Sequence, residues 1–176
     1  MYEIKNYNSG SWVFIYKNKP FTEQCIKDIE KVKKLFITED FTHPLDKLPT
    51  TITDLHIGNN NRSNVFDFSS KLIINQPLDY LPFNLEYLTI ESYSFDQPLD
   101  SLPVNLKSLV IKSQTFNQEL QNLPPLLKKL HIESKQFNQY LENLPLSLEK
   151  LYISNNYKYL DRLKENYKNI NILTIC

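Results

Sequence analysis

A solenoid of short stacked coils, built mainly from β-structure, is the fold class that this sequence predicts. Three observations predict it. The dipeptide Leu-Pro returns every 21 residues, at Leu81-Pro82, Leu102-Pro103, Leu123-Pro124 and Leu144-Pro145. A polar pair led by an apolar residue precedes each one: Ile74-Asn75-Gln76, Phe95-Asp96-Gln97, Phe116-Asn117-Gln118 and Phe137-Asn138-Gln139. Leu-x-x-Leu-x-Ile follows each one, as in Leu85/Leu88/Ile90 and Leu106/Leu109/Ile111. A fixed period of this length marks an array in which one small unit stacks on copies of itself and buries little alone.

Counted from its first apolar residue, a unit carries apolar side chains at offsets 0, +4, +7, +11, +14 and +16. Units begin near 21, 41, 74, 95, 116 and 137, with a last one at 159. The copy at Phe41 is complete through Leu45, Leu48, Ile52, Leu55 and Ile57. The copy at Phe21 runs through Cys25, Val32, Leu35 and Ile37 and lacks Leu-Pro. In the unit at 116 the third leucine is Leu127, with Leu126 one position away as the competing choice. Leu-x-Ile alternates with period two, so each unit contributes one half-buried strand. Stacked in register, these make a parallel sheet with strands about 4.8 Å apart. Proline lacks an N–H and restricts the residue before it, which breaks helices. The return path is therefore expected to be extended segments and 3₁₀ turns on the convex side, with the phenylalanines forming an aromatic spine.

The ends depart from the template. Residues 1–20 read as a β-hairpin cap, with Tyr2–Lys5 and Trp12–Tyr16 flanking a turn-rich stretch. Val13 and Ile15 stand 22 residues before Leu35 and Ile37, so this strand can extend the sheet. Residues 21–158 form the array, and residues 159–176 a degenerate capping repeat. In that last repeat Asp161, Arg162, Lys164 and Glu165 replace the Leu-Pro region and read as a short helix, with Leu173 and Ile175 facing inward. An open edge at this terminal strand invites pairing with another chain. The expectation is a monomer or an edge-mediated homodimer. Between Ile57 and Ile74 the spacing lengthens, leaving an insert at 58–73 that is polar up to Asn64 and then carries Phe66 and Phe68. It reads either as a tolerated loop or as part of a binding face.

Composition removes several function classes. Lys+Arg and Asp+Glu are both 20, so the formal net charge is zero. Non-specific nucleic-acid binding draws on a cationic surplus that this chain lacks. Only two glycines occur, Gly10 and Gly58, which excludes glycine-rich phosphate loops. Cys25 and Cys176 are too far apart in sequence and too few for a cysteine zinc site or a disulfide framework. No apolar run approaches the roughly 18 residues of a membrane span. The first ten residues show no signal-peptide pattern, and a cytoplasmic, reducing location is expected. No cofactor, metal, membrane or nucleic-acid partner is expected.

The motif Phe-Asn/Asp-Gln-x-Leu-x-x-Leu-Pro-x-x-Leu-x-x-Leu-x-Ile resembles the FNIP repeat, a subtype of leucine-rich repeat. The resemblance is close over 41–156 and weak over 21–40 and 157–176. It implies a leucine-rich-repeat horseshoe with its parallel sheet on the concave face, protein–protein interaction, and no catalytic residues. It also implies an origin among social amoebae or their giant DNA viruses, with action of a viral protein in the host cytoplasm. Some such proteins carry an F-box that joins ubiquitin ligases. Twenty N-terminal residues are too few for one here, so an adaptor role would have to work without it.

If offsets +14 and +16 point inward, then +13, +15 and +17 face the open side of the sheet. The protein-binding candidates are Phe36, His56, Tyr87, Val110, Lys129, His131, Lys150 and Tyr152. Tyrosine and phenylalanine at exposed strand positions dominate many interface energies. The plainer alternative is mutual support between neighbouring strands. His56 and His131 stand three coils apart, about 14 Å, too far to share one metal ion. His131 beside Glu133 reads as a surface pair more readily than as a catalyst. Asn75, Asn117 and Asn138 read as corner residues that satisfy the backbone of the next coil. The expected function is a non-enzymatic interaction module. Alternatives are a ligase adaptor, a self-assembling structural component and, least supported, a hydrolase.

Overall fold

The computed structural model describes residues 2–7, 10–15, 20–37, 42–58 and 74–176. Phe41, the +17 residue Thr38 and the part of the insert from 59 to 73 lie outside them. Nine strands form one sheet in chain order: β1 (Tyr2–Tyr7), β2 (Gly10–Ile15), β3 (Lys34–Ile37), β4 (Asp54–Ile57), β5 (Tyr87–Glu91), β6 (Ser108–Lys112), β7 (Lys129–Glu133), β8 (Lys150–Ser154) and β9 (Asn171–Ile175). β1 and β2 pair antiparallel as a hairpin. From β2 onward every pairing is parallel. Val13 faces Leu35 and Ile15 faces Ile37, so β2 continues the ladder of the first coil. Val13 is fully buried.

The alternation in the sequence becomes the burial pattern of the strands. In β6, Leu109 and Ile111 are buried while Ser108, Val110 and Lys112 are half-buried on the other face. The register steps by 21 residues from β5 to β8, so like offsets lie side by side: Leu88, Leu109, Leu130, Leu151. Leu127 is the buried member of its unit and Leu126 is exposed, which resolves the one-position choice. After each Leu-Pro the proline carbonyl accepts from the N–H three residues on, as in Leu106 N to Pro103 O at 3.0 Å. Proline has no N–H to waste at this corner, and its fixed φ suits a tight turn.

Opposite the sheet the aromatic spine forms. Phe95 and Phe116 stack at 6.0 Å between ring centroids, and Phe116 and Phe137 do the same. Parallel strands on the other face stand about 4.8 Å apart. The coils therefore fan outward on the spine side, which places the sheet on the inside of the curve.

Two hydrogen-bond rows run along the array, one between neighbouring coils and one within each coil. At the corner after the spine, Asn75 Oδ1 accepts from Asp96 N at 2.9 Å, Asp96 Oδ1 from Asn117 N at 2.8 Å, and Asn117 Oδ1 from Asn138 N at 3.0 Å. The glutamine of each later unit adds a side-chain bond to the same corner, such as Gln139 Nε2 to Asn117 O at 3.0 Å. The second row went unread in the sequence. Ser92, Ser113 and Ser134 are buried, and each hydroxyl donates at 2.8 Å to the spine residue's carbonyl in its own coil: Ile74, Phe95 and Phe116. Ser113→Ala would leave that carbonyl without its partner in the core. An unfolding-stability loss of about 1–3 kcal/mol is expected, measured by urea titration.

Three expectations need correction. The first coil does not return as an extended segment. It carries helix α1 (Glu23–Ile29), because no Leu-Pro interrupts it and Thr22 caps it by accepting from Cys25 N at 3.2 Å. The last unit does form the expected helix, α2 (Leu160–Asn166), with Leu163 buried. Its spine residue, however, is Tyr157 and not Tyr159: Tyr157 stacks on Phe137 at 5.8 Å. Its hydroxyl donates to Gln139 O at 2.8 Å and accepts from Leu141 N at 3.2 Å. Burial raises this phenol to about 12 and keeps it neutral. The third correction concerns the last strand. In β9 the register pairs Leu151 with Ile172 and Ile153 with Thr174. Ile172 and Thr174 therefore take the inward positions, and Leu173 and Ile175 face the open side. No helix among the described residues is long and apolar enough to cross a membrane.

Candidate functional site

The open face of the sheet is built by β3 to β9, which hold three columns of side chains at strand spacing. In the middle column Phe36, His56, Thr89, Val110, His131, Tyr152 and Leu173 follow one another on adjacent strands. At one end Phe36 stacks on His56, with 4.0 Å between centroids and 19° between planes. Phe36 is only 7% exposed. It lies on the face that the sequence assigned, yet the stack covers it and leaves little area for a partner. At the other end His131 stacks on Tyr152 at 5.2 Å, and Lys129 Nζ lies 5.2 Å from the Tyr152 ring centroid. Thr89 and Val110 separate the two clusters.

Tyr87 lies in the outer column on β5, 45% exposed. Ser108, Lys129 and Lys150 continue that column. The structure thus brings Val110, Lys129, His131, Lys150 and Tyr152 together over β6, β7 and β8. Tyr87 joins their edge, and Phe36 and His56 form a separate pair. Leu173 and Ile175 extend the face and were assigned inward by sequence reasoning. The signal was present, because a step of 21 residues from Leu151 and Ile153 lands on Ile172 and Thr174; counting the unit from Tyr159 put the strand one residue out of step.

The third column holds a charge network. Glu91 Oε1 pairs with Lys112 Nζ at 3.0 Å, and Glu91 Oε2 stands 3.5 Å from His56 Nε2. Glu133 Oε2 stands 3.6 Å from His131 Nε2. Burial opposes ionisation of Glu91, but the facing His56 and Lys112 outweigh it and hold its carboxyl below the ordinary value. Glu133 is also lowered, chiefly by His131 against the opposing effect of burial, with help from Lys112. Asp54 behaves in the opposite sense: burial raises its carboxyl despite Lys34 and His56.

A carboxylate with a lowered folded value stabilises the fold while ionised. For Glu91 and Glu133 that contribution is complete above the unfolded-chain value of 4.5 and disappears as pH falls through the lower folded values. Glu91→Gln is expected to cost about 1 kcal/mol at neutral pH. It should also flatten the acid limb of a curve of urea midpoint against pH. An unchanged acid limb would refute the network's role.

Among the described residues no group of three or more His, Cys, Asp or Glu side chains is placed to hold a metal ion. The face neighbours of His131 are Val110 and Tyr152 on the adjacent strands and Glu133 on its own. A second surface was missed by the sequence reading. The residue after each of the four Leu-Pro pairs from Leu81 onward is apolar and exposed: Phe83 at 61%, Val104 at 63% and Leu146 at 98%, with Pro125 between the last two in the row. The signal was present as a fourth position repeating every 21 residues.

These coils can be set beside known proteins. The family model for the FNIP Repeat matches residues 95–135. No curated protein matches the sequence. One solved structure with a similar fold is described as a novel circular leucine-rich-repeat protein, CroV588. The two superpose with a TM-score of 0.65 at 23% identity, over 92% of this chain and 27% of that one. The chain therefore spans about a quarter of that protein's length, and at this identity the likeness concerns the fold. With one parallel strand per 21-residue coil and an Asn/Asp corner row, the chain has a leucine-rich-repeat-like solenoid fold, and its central units at 95–135 match the FNIP Repeat.

Proposed function

We propose that the chain is a non-enzymatic interaction module that receives a protein partner on the concave face of its sheet. Folds of this repeat type commonly serve as interaction scaffolds, because stacked coils present a long curved surface. The observation that carries the reading is the cluster of Val110, Lys129, His131, Lys150 and Tyr152 with Tyr87 at its edge. These side chains stand partly exposed on a single rigid sheet and none is spent on the core. Tyrosines such as Tyr87 and Tyr152 are among the residues that supply most of the energy of protein interfaces, and the lysines add charge at the rim.

The test is an affinity pull-down from an amoebal lysate, chosen for the family resemblance, with wild type beside a Tyr87→Ala/His131→Ala/Tyr152→Ala variant. A partner held by wild type should bind the variant at least about thirtyfold more weakly, the equivalent of about 2 kcal/mol. Thermal melts of both proteins establish that the variant is folded. A partner held equally by both would move the site away from the concave face, with the Phe83–Val104–Leu146 row as the next surface to mutate. Recovery of cullin-ligase subunits with the partner would make the module a substrate adaptor.

A further inference from the structure

Charge on the open face is arranged by strand end. Where the strands finish, the carboxylates are answered within the sheet: Glu91 by Lys112 and His56, and Glu133 by His131. Where the strands begin, the pattern changes. Lys34 faces Asp54 across β3 and β4, but Lys129 faces Lys150 across β7 and β8. Among the described residues neither Lys129 nor Lys150 makes an ion pair. Like charges at opposed strand positions raise the energy of a sheet. Lys129 leans over the Tyr152 ring, which relieves part of this without neutralising either ammonium.

Beside the two lysines, one step along the strands, Val110, His131, Tyr152 and Leu173 form a half-buried strip that is apolar except for the His131 imidazole stacked on Tyr152. The glutamates stand four residues along from the lysines, about 13 Å at the rise of a strand. The face therefore has two unanswered cations, then an apolar strip, then carboxylates. We infer that it takes an extended peptide segment with acidic residues at one end, their carboxylates over Lys129 and Lys150 and the following apolar side chains over Val110, Tyr152 and Leu173. This rests on the concave-face reading and adds the partner's chemistry to it. A nucleic acid fits less well. Its phosphates recur at every nucleotide, so the strand that met the lysines would carry its next charges toward Glu91 and Glu133.

Fluorescence anisotropy tests the inference with the full chain. The probe is a fluorescein-labelled octapeptide of two glutamates followed by alternating leucine and threonine. Matched octapeptides carry glutamine or lysine in place of the glutamates, and an oligothymidylate of similar length represents nucleic acid. The acidic peptide is expected to bind at least about tenfold more tightly than the glutamine peptide, and rising salt should erode the difference. A Lys129→Gln/Lys150→Gln variant should lose the preference while melting no lower than wild type, since a like-charge contact is removed. Equal binding of the acidic and glutamine peptides, no binding of the acidic one, or tighter binding of oligothymidylate would overturn the inference. The pull-down separates its failure from that of the proposed function. A partner lost by the Tyr87/His131/Tyr152 variant but kept by the lysine variant would leave the concave site standing and remove the acidic chemistry. A partner kept by both variants would remove both.

Discussion

Phe116→Ala is expected to lower the stability of the chain by about 3–5 kcal/mol, read from urea unfolding. The ring is fully buried and stacks on Phe95 and on Phe137 at 6.0 Å on each side. Alanine would open a cavity shared by three coils. Stability in a stacked array is the sum of unit terms and neighbour interfaces, and this one substitution weakens two interfaces. A whole domain of this kind is stable by only about 5–15 kcal/mol. The variant should therefore unfold at much lower denaturant, and the coils beyond Phe116 should lose amide protection before those ahead of it. Phe116→Leu keeps most of the volume and is expected to cost less than half as much. A loss below about 1 kcal/mol for the alanine variant would refute the spine as a main source of stability.

Gly58→Ala should be nearly as damaging, by about 3 kcal/mol. Gly58 has φ +150°, a conformation that side-chain-bearing residues rarely adopt. Strain of this sort costs about 1–3 kcal/mol. A Cβ at that site would also stand 2.5 Å from the Glu91 carbonyl oxygen and 2.7 Å from Glu91 Cβ, and relief by backbone shift adds about 1–3 kcal/mol. The effect reaches the open face, because Glu91 is the carboxylate between His56 and Lys112. Besides the lower urea midpoint, the variant should show a flatter acid limb, the same change expected of Glu91→Gln. A Gly58→Ala protein with wild-type stability and wild-type acid response would exclude this close approach.

The repeat was legible because burial imposes it. Leu88, Leu109, Leu130 and Leu151 occupy equivalent places in successive coils, so the same physical demand recurs at a fixed interval. The asparagine corners were legible for the same reason: Asn75 and Asn117 meet one geometric need in each coil. The buried serines carried the same 21-residue signal. Ser92, Ser113 and Ser134 gave no sign of burial by type, since a hydroxyl shows no preference for the core until a carbonyl is placed opposite it. The end coils were less legible. Tyr157 and Tyr159 are both plausible spine residues by type, and counting the offsets from Tyr159 puts the last strand one residue out of the register that a 21-residue step from Leu151 reaches at Ile172.

The sequence by itself determined the period, the inward and outward faces from β3 to β8, and the candidate residues on the open face. All three follow from side-chain patterns that local backbone geometry converts directly into position. Only the tertiary structure decided that Phe36 is covered by His56, that Glu91 is answered by Lys112 and His56, and that Lys129 and Lys150 make no ion pair among the described residues. Those outcomes depend on which side chain of the next coil lies opposite. Partners in neighbouring coils, 20 or more residues away in the chain, settle it through distance and charge, which no single unit contains.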